Sequence, residues 1–187
     1  MKFKETPIST VINDISETES KWFAIYTKYK CEKYVAEQLG KKGIAAYVPL
    51  ITKIKVYSSR TKRYDIPLIN SYVFVNIKKS EYVSVLETEY VMMFLKQRKN
   101  LICIPEYEIN LLKRVVGEIE GIAVVDISMK QGDEVEIIGG NLTGIKGILL
   151  EKEGKNNFIV QLTSIGMQLM MTIDKSNLTI LRRSKSA

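Results

Sequence analysis

The stretch that decides the fold is WFAIYTKYKCEKYVAEQLGKKG, residues 22–43. It opens with WFAIYTK, whose aromatic content and alternation are typical of a β-strand. A helix is predicted from Glu32, because Val35 and Leu39 are four residues apart and lysines occupy its last turn. Gly43 follows, and glycine readily adopts the left-handed conformation that ends many helices. The stretch therefore predicts a strand followed by a helix.

The following residues extend this pair into a β-α-β-β-α-β-α order. Residues 44–57 are rich in β-forming residues, and the polar stretch 58–63 predicts a hairpin tip. PLINSYVFVNI, residues 67–77, predicts a strand whose alternation places Tyr72 and Phe74 on one face. The remaining elements predicted for this half are a helix capped by Ser80, strands at 91–95 and 100–104, and a helix that begins at Pro105 and ends at Gly117.

Composition excludes several classes of function. The 187 residues include no histidine, which removes the commonest general acid and base and the Ser-His and Cys-His nucleophile pairs. The two cysteines, Cys31 and Cys103, are far apart and lack CxxC spacing, so we expect no disulfide and no metal site. The chain therefore predicts a binding protein without a cofactor, and not an enzyme.

Signals for membranes and secretion are missing from the sequence. No apolar run reaches membrane-spanning length, and acidic residues occur where a secretory signal would be basic and then hydrophobic. We expect a monomer in the cytoplasm that has no membrane partner.

Positive charge is concentrated in one region. The formal net charge is +7, yet residues 22–63 carry ten lysines and arginines against two acidic residues, and the rest of the chain sums to about −1. Such a local field is typical of proteins that bind phosphate backbones or acidic partners. A solubilising surface is the alternative explanation.

A change of character divides the chain into two domains. Residues 118–128 lack helical periodicity and predict a linker, and beyond them short β-type runs alternate with Gly, Asn and Lys turns. The five runs, at 135–138, 147–151, 158–162, 169–173 and 178–181, predict a small barrel. The predicted organisation is a flexible extension at 1–21, a domain at 22–117, a linker at 118–128, a barrel at 129–183 and a tail at 184–187.

Both domains contain motifs that resemble a known family. GDEVEIIGGNLTGIKGILLEKEGKN, residues 132–156, resembles a KOW motif, in which Gly-Asp opens the first strand and a glycine-punctuated loop precedes the second. WFAIYTKYKCEKYVAEQL resembles the first strand and helix of the NGN domain of NusG and RfaH. PLINSYVFV occupies the place of the PLFPGYVFV-like strand of that family, with Ile69, Asn70 and Ser71 in place of Phe-Pro-Gly. The chain is therefore similar to transcription elongation factors of the NusG class.

The resemblance implies a fold and a polymerase-binding site. The expected fold class is α+β: an NGN-type domain, with an antiparallel sheet flanked by helices, followed by a five-stranded KOW β-barrel. In NGN domains an apolar pocket receives the clamp helices of RNA polymerase. Ordinary packing within the sheet is the alternative explanation for the aromatic positions. The residues expected to line the pocket are Tyr72, Phe74, Val48, Pro49, Met92 and Phe94.

Two further surfaces are predicted. Lysines beside tyrosines favour a surface for nontemplate DNA or nascent RNA, formed by Lys28, Tyr29, Lys30, Lys33, Arg60, Lys62 and Arg63. In the KOW loop, relatives present apolar side chains to a ribosomal protein or to Rho, and turn geometry alone also explains the glycines. The matching positions in this sequence are Gly140, Leu142, Gly144, Ile145 and Gly147.

Together these expectations describe a transcription elongation and antitermination factor. By bridging the polymerase cleft, it would hold the clamp closed and disfavour paused states through a population shift. The turn at 69–71 and the basic hairpin resemble specialised antiterminator paralogues of the UpxY, LoaP and RfaH type. A housekeeping NusG-type factor and a ribosome-associated RNA-binding KOW protein are the alternatives.

RfaH-like proteins can refold their C-terminal domain into a helical hairpin. Each glycine in the interior of such a helix would cost about 1 kcal/mol, and six glycines occur between residues 139 and 166. The sequence therefore predicts that this domain remains a barrel.

Overall fold

The computed structural model describes residues 13–97, 99–118, 123–125, 132–152 and 155–183. Residues 1–12, much of the predicted linker and the predicted tail at 184–187 lie outside these ranges. Within them, no helix is long and apolar enough to cross a membrane.

The N-terminal half is built on a four-stranded antiparallel sheet. The sheet contains β1 (Lys21–Thr27), β2 (Ala45–Tyr47), β5 (Tyr72–Ile77) and β6 (Val91–Phe94), in the order β2-β5-β1-β6. Two hairpins lie outside it: β3 (Leu50–Val56) with β4 (Thr61–Pro67), and β7 (Lys96–Gln97) with β8 (Asn100–Leu101). The helices are α1 (Glu32–Lys41), α2 (Tyr82–Leu86) and α3 (Glu106–Glu118).

The C-terminal half is a six-stranded antiparallel sheet. Its strands are β9 (Ala123–Val125), β10 (Asp133–Ile137), β11 (Lys146–Lys152), β12 (Lys155–Leu162), β13 (Met167–Thr172) and β14 (Leu178–Arg182), in the order β14-β10-β11-β12-β13-β9. The predicted α+β fold class is confirmed, and the five predicted strands of the barrel domain are all present. Between residues 132 and 183, the described part contains strands and 3-10 turns but no α-helix.

The predicted linker contains a strand that the sequence did not indicate. β9 lies within residues 118–128 and pairs with β13, so that Val124 is opposite Leu169. Three residues are too few for a periodic pattern, and the strand owes its conformation to pairing with a distant partner. It adds a sixth strand to the barrel domain.

The strand predicted at 67–77 is two elements joined by a turn. β4 ends at Pro67 and β5 begins at Tyr72. The hairpin tip is also shorter than the polar stretch predicted, because Tyr57 N–H donates to Arg60 O at 2.8 Å and Arg60 N–H to Tyr57 O at 3.3 Å. Polar residues 61–63 therefore belong to a strand, which is possible because both faces of the hairpin are exposed there.

Two expectations about chain segments need correction. Residues 13–20, predicted to be flexible, lie against the domain: Asp14 N–H donates to Leu101 O at 3.2 Å and Lys79 N–H donates to Ser16 O at 2.8 Å. Ser80 does not cap α2, since a 3-10 turn precedes that helix and the Glu81 carboxylate accepts the Lys78 N–H at 2.9 Å. Each of these three hydrogen bonds involves at least one backbone group, so the periodicity of the side chains could not reveal them.

The first helix agrees with its prediction. Val35 and Leu39 are buried, and Gly43 has a φ of 77°, in the left-handed region that glycine favours. Both side chains belong to a core with the β1 and β5 residues Phe23, Ile25 and Val75. This core fixes α1 on one face of the sheet.

Gly147 tests the packing of the barrel domain. A Cβ at this position would lie 2.4 Å from Ile159 O and 2.7 Å from the Phe158 ring, so we expect Gly147→Ala to lower the free energy of unfolding by about 1–3 kcal/mol. Gly40→Ala is the control, because Gly40 is an exposed α1 residue whose Cβ would meet no atom within 4 Å. It should raise stability by about 1 kcal/mol. Urea denaturation measures both, and equal midpoints for Gly147→Ala and wild type would contradict the packing.

Candidate functional site

The central sheet has two faces with different partners. Val73 and Val75 pack against α1 and α2, in the core that contains Val35 and Val85. The opposite face, called here the aromatic face, follows from the register of β1 with β5 and β6, in which Tyr26 is opposite both Tyr72 and Met93. The predicted separation of Tyr72 and Phe74 from Val73 and Val75 is therefore confirmed. The aromatic face carries Trp22, Ala24, Tyr26, Tyr72, Phe74 and Met93.

Helix α3 covers one half of the aromatic face. Phe74 is 0% exposed and belongs to the same core as the α3 residues Ile109 and Leu112. The Tyr47 ring lies beside it, with 6.3 Å between the two ring centroids. Phe74 is therefore a core residue and is not accessible to a partner in this structure.

The other half of the aromatic face is open. A hollow of about 260 Å³, called here the aromatic hollow, is lined by Tyr26, Met93, Phe94, Leu95 and Lys96. Tyr26 is 42% exposed and Met93 is 58% exposed. A rigid ring and a flexible thioether together suit an apolar side chain from a partner.

Tyr72 packs against Tyr26, which lines the hollow. Its ring meets the Tyr26 ring edge to face, with centroids 5.3 Å apart and an interplanar angle of 87°. Burial, followed by the neighbouring Tyr26, raises the pKa of Tyr72 above its usual value, so the phenol remains neutral at physiological pH. Tyr72 therefore fixes the orientation of the exposed ring.

The six residues predicted to line a polymerase pocket do not come together. Tyr72 reaches the hollow through Tyr26, and Phe74 is buried under α3. Phe94 contributes to the lining, but its ring stacks on Tyr82 at 4.7 Å in the opposite core. The other three also lie elsewhere: Val48 packs against that opposite core, Pro49 is buried, and Met92 is exposed outside the lining.

The residues that sequence reasoning missed are Tyr26, Met93 and Leu95. The pairing of β1 with β6 shifts register between Tyr26 and Thr27, and this shift places Met93 instead of Met92 beside Tyr26. A bulge of this kind has no sequence signal in VMMF. Alternation along β1 from Ala24 was the one available indication for Tyr26.

The turn before β5 is held by a buried carboxylate. Ser71 has a φ of 63°, in the left-handed region, at the position where the family pattern has glycine. Glu32, 2% exposed, accepts the Ser71 N–H at 2.6 Å through Oε1, and Ser71 O accepts the Thr27 N–H at 2.8 Å. Ile69, at the phenylalanine position, is buried in the core beneath α3. The departure from Phe-Pro-Gly therefore keeps a left-handed turn and a buried apolar residue.

Replacing Ser71 tests whether this turn is strained. A left-handed conformation costs a residue with a Cβ about 1–2 kcal/mol, and glycine avoids that cost. We expect Ser71→Gly to raise the free energy of unfolding by about 1 kcal/mol in urea titrations. Glu32→Gln is a matched test of the hydrogen bond and should lower stability. Loss of stability in Ser71→Gly would show that the serine side chain, and not the backbone, holds the turn.

The end of the sheet beside this turn is basic and aromatic. Lys28 and Lys30 lie over the rings of Tyr90 and Tyr29, at 5.7 and 5.2 Å from the ring centroids. Tyr90 and Lys30 both have left-handed backbones, with φ values of 68° and 64°. This sheet-end surface, defined by Lys28, Tyr29, Lys30 and Tyr90, combines three of the predicted nucleic-acid residues with Tyr90, which the sequence analysis missed.

A second tyrosine stabilises the sheet-end surface. The Tyr34 ring centroid lies 5.4 Å from that of Tyr90, and Tyr34 OH donates to Glu89 Oε2 at 2.8 Å. This hydrogen bond lowers the pKa of Glu89 and raises the pKa of Tyr34. The carboxylate therefore stays ionised and holds the ring in place.

The remaining predicted nucleic-acid residues lie on the β3–β4 hairpin or support it. Lys33 Nζ donates to Asp65 O at 2.7 Å, so this lysine joins α1 to the hairpin. Arg60 closes the tip through its backbone. Lys62 and Arg63 are neighbours on β4 and therefore project from opposite faces of the hairpin. The seven predicted residues thus do not form one surface: three lie at the sheet end, and the other four lie on or beside the hairpin, whose two faces they share.

A lysine lies between two rings at the edge of the aromatic face. Lys113 Nζ is 5.5 Å from the Trp22 ring centroid and 5.7 Å from that of Tyr47. Burial raises the pKa of Tyr47 to about 12, so its phenol is neutral at physiological pH. The three side chains attach α3 to β1 and β2. Lys113 is therefore a structural cation.

The KOW loop faces the N-terminal domain. Leu142 and Ile145, predicted to project from the loop towards a partner, are buried in the core that also contains the α3 residue Val115. Gly140 and Gly144 are exposed and have left-handed φ values of 71° and 86°, as turn geometry requires. Gly147 lies within β11, where β12 leaves no room for a side chain. The apolar pair is therefore covered in this structure, because the loop packs on α3.

Two polar contacts hold α3 against the barrel domain. Arg114 Nη2 donates to Asn141 O at 2.7 Å and to Thr143 O at 2.8 Å. Glu108 Oε1 accepts from Ser164 N–H at 3.2 Å and from its hydroxyl at 3.1 Å. The second oxygen of the buried Glu108 carboxylate has no hydrogen-bond partner among the described residues. Because an unpaired buried oxygen is costly, this side of the contact is weaker than that of Arg114.

Arg114→Ala tests the contact between the domains. Losing the three hydrogen bonds that the Arg114 guanidinium donates to Asn141 O and Thr143 O should open the interface, and we expect amide exchange at Ser164 and across residues 141–145 to become faster by about 10-fold or more. Asn110→Ala, an exposed α3 position, is the control and should leave these rates unchanged. Hydrogen–deuterium exchange with mass spectrometry measures both. Unchanged exchange in Arg114→Ala would mean that other contacts hold the two domains together.

Comparison with known proteins decides the family. A family model described as "Transcription termination factor nusG" matches residues 20–113, half of the chain. The chain belongs to the NusG family. The matched residues include the four-stranded sheet and most of α3, so the aromatic face belongs to the domain that defines this NusG-family protein.

One solved structure has the same fold. The structure described as "Domain interaction in Thermotoga maritima NusG" is 21% identical, covers 89% of this chain and 100% of its own, and has a TM-score of 0.55. A second, the "Crystal Structure of MjSpt4:Spt5 complex conformation B", is 18% identical, covers 88% of this chain and 99% of its own, and has a TM-score of 0.31. The first likeness shows that the two-part fold is shared. The comparison with curated proteins gives no match.

Proposed function

We propose that this NusG-family protein binds RNA polymerase through the aromatic hollow and suppresses pausing and termination. One observation carries the proposal: Tyr26 and Met93 stay exposed at the end of the aromatic face that α3 leaves open. The clamp helices of the polymerase are the proposed occupant, because a helix that enters a hollow offers apolar side chains at its tip.

The mechanism is a shift in population. A protein that binds the closed clamp more tightly than the open one favours the closed, elongating state by its difference in affinity. No covalent step is required. The size of the effect on pausing therefore follows the strength of the contact at the hollow.

Substitutions in the hollow test this proposal. Burying one such side chain contributes about 1.5–3 kcal/mol, so Tyr26→Ala and Met93→Ala should each weaken polymerase binding by roughly 10- to 100-fold. Fluorescence anisotropy with purified polymerase measures affinity, and transcription in vitro measures pause lifetime and terminator readthrough. Loss of affinity and loss of readthrough should occur together.

The controls separate binding from folding. Val83→Ala changes an exposed residue of α2, on the other side of the sheet, and should leave binding unchanged. Phe74→Ala removes a core ring and should cost about 3–5 kcal/mol of stability, so it is unsuitable as a binding test. If the Tyr26→Ala, Met93→Ala double variant binds polymerase as tightly as wild type does, the hollow is not the binding site.

We infer that the protein is a specialised antiterminator paralogue that also contacts nontemplate DNA or nascent RNA. The departure from Phe-Pro-Gly at residues 69–71 and the exposed basic hairpin support the first part. The sheet-end surface supports the second, since lysines there lie beside exposed rings that can stack on bases.

We propose that the barrel domain recruits a second partner, a ribosomal protein or Rho, at the raised effective concentration that a tether provides. Because Leu142 and Ile145 are covered, such a partner must displace α3 before it reaches them. Undocking of the two domains is therefore part of this proposal.

A further inference from the structure

The two faces of the β3–β4 hairpin carry different chemistry. The register pairs Lys53 with Tyr64 and Lys55 with Lys62, which places all four side chains on one face, called here the lysine face. The other face carries Thr52, Ile54, Val56, Thr61, Arg63 and Asp65. Lysines and tyrosines are thus sorted to one side of an exposed hairpin.

The lysine face has uncompensated positive charge. Lys55 and Lys62 are directly opposite each other, and like charges in that arrangement destabilise a strand pair. Asp65 is the one acidic residue of residues 50–67, all of which the structure describes, and it lies on the other face. There its carboxylate accepts the Thr52 hydroxyl at 2.7 Å. An anion at the lysine face would remove the repulsion.

Two rings accompany these lysines. Tyr64 lies beside them on β4, and Tyr57 lies at the tip, where Lys55 Nζ is 5.1 Å from its ring centroid. Tyr57 is 43% exposed and Tyr64 is 39% exposed. The distance along the strand from residue 53 to residue 57 is roughly 13 Å. Ammonium groups and rings that alternate over this length suit the phosphates and bases of a single strand.

The hairpin is held in place before any ligand binds. Lys33 joins β4 to α1, and Leu68 N–H donates to Pro49 O at 2.7 Å. Ile51 packs against the core that α3 forms with Phe74. Two backbone hydrogen bonds close the tip. A single strand would therefore meet a surface that is already ordered.

The lysine face lacks the planar side chains, chiefly Arg, Asn and Gln, that read a base edge with two parallel hydrogen bonds. Lysine can also contact guanine, but it acts mainly as a point charge that binds phosphate. Recognition of a ribose requires contact with the 2′-hydroxyl. Among the hairpin residues, all described, the lysine face offers only lysine ammonium groups, tyrosine rings with their hydroxyls, and Ile51 and Ile66 at its base. Stacking and phosphate contacts alone tolerate any base and either sugar.

We propose that the lysine face of the hairpin is a track for single-stranded nucleic acid that does not discriminate sequence or sugar. The inference deepens the nucleic-acid contact proposed above and is independent of polymerase binding. In this proposal the hairpin contributes affinity for a single strand, and any recognition of sequence belongs to other surfaces. Lys53, Lys55 and Lys62 contact phosphates, while Tyr57 and Tyr64 stack on bases.

The test uses the full chain and labelled single strands of about 12 nucleotides, oligo(dT), oligo(U) and a mixed DNA sequence, at several salt concentrations. Wild type should bind all three within about 3-fold of one another. The double variant Lys55→Gln, Lys62→Gln should reduce the slope of log affinity against log salt by about 1.4, because each phosphate contact on a single strand contributes about 0.7. Tyr64→Leu should weaken binding by about 10-fold with little change in slope.

The matched control lies on α1. Lys41→Gln removes one positive charge from an exposed lysine that pairs with Glu37, and it should leave the salt slope nearly unchanged. Thermal unfolding of each variant verifies the fold, and the lysine variants should be at least as stable as wild type because a repulsion is removed.

The outcomes separate this inference from the wider proposal. If Lys28→Gln, Lys30→Gln abolishes binding while the lysine-face variants bind normally, the sheet-end surface binds nucleic acid and the lysine-face track is wrong. Strong preference for one sugar or one sequence that depends on the lysine face would also overturn it. If wild type binds none of the strands, both nucleic-acid proposals fail, whereas polymerase binding at the hollow is unaffected.

Discussion

The burial of α3 on the aromatic face is the constraint on which the rest of this structure depends. Ile109 and Leu112 share a core with Phe74, and the same helix supplies Glu108 and Arg114 to the barrel domain. Residues 109-112-116 and 108-111-115 form two adjacent stripes along the helix, so a broad part of its surface can be buried. One short helix therefore determines which aromatic residues remain open and which apolar residues of the KOW loop are covered.

The division of the aromatic face follows from where that helix packs. Its core includes Phe74 and Ala24, whereas Tyr26 and Met93 remain exposed. An exposed apolar surface on a folded domain is costly unless a partner covers it for part of the time. The cost is limited here because Tyr26 rests on Tyr72 and retains a polar hydroxyl. The open half is thus compatible with a stable free protein.

Sequence patterns predicted what depends on local periodicity and missed what depends on distant pairing. The alternation of Tyr72 with Val73, the burial of Val35 and Leu39, and the left-handed Gly43 all follow from spacing within one element. The choice between Met92 and Met93 depended on a register shift in the pairing of their own strand, β6, with β1, which no local pattern contains. The burial of Leu142 depended on a helix some thirty residues earlier in the chain. The predicted sites contain the same errors, because each site combines residues from several secondary-structure elements.

The same residue type has different roles according to what surrounds it. Lys113 lies beside two rings of the sheet and Lys33 donates to a backbone carbonyl, so each of these lysines joins a helix to another element of the fold. Lys55 and Lys62 face each other across an exposed strand pair, so a phosphate can still approach them. Net charge could not separate these classes, although all of these lysines except Lys113 contribute to the basic region at 22–63. Hairpin register, which assigns each lysine to a face, is what distinguishes them.

Binding at the hollow and binding at the lysine face depend differently on salt concentration, and this difference would give the two surfaces complementary roles. Apolar burial at the hollow changes little with salt, whereas phosphate contacts weaken steeply as counterions compete for them. At physiological salt a three-lysine track alone binds weakly. If the hollow binds polymerase as proposed, a nearby single strand would be present at an effective concentration that a weak site can use. The proposed track would then need no sequence preference, because the polymerase would determine which strand is within reach.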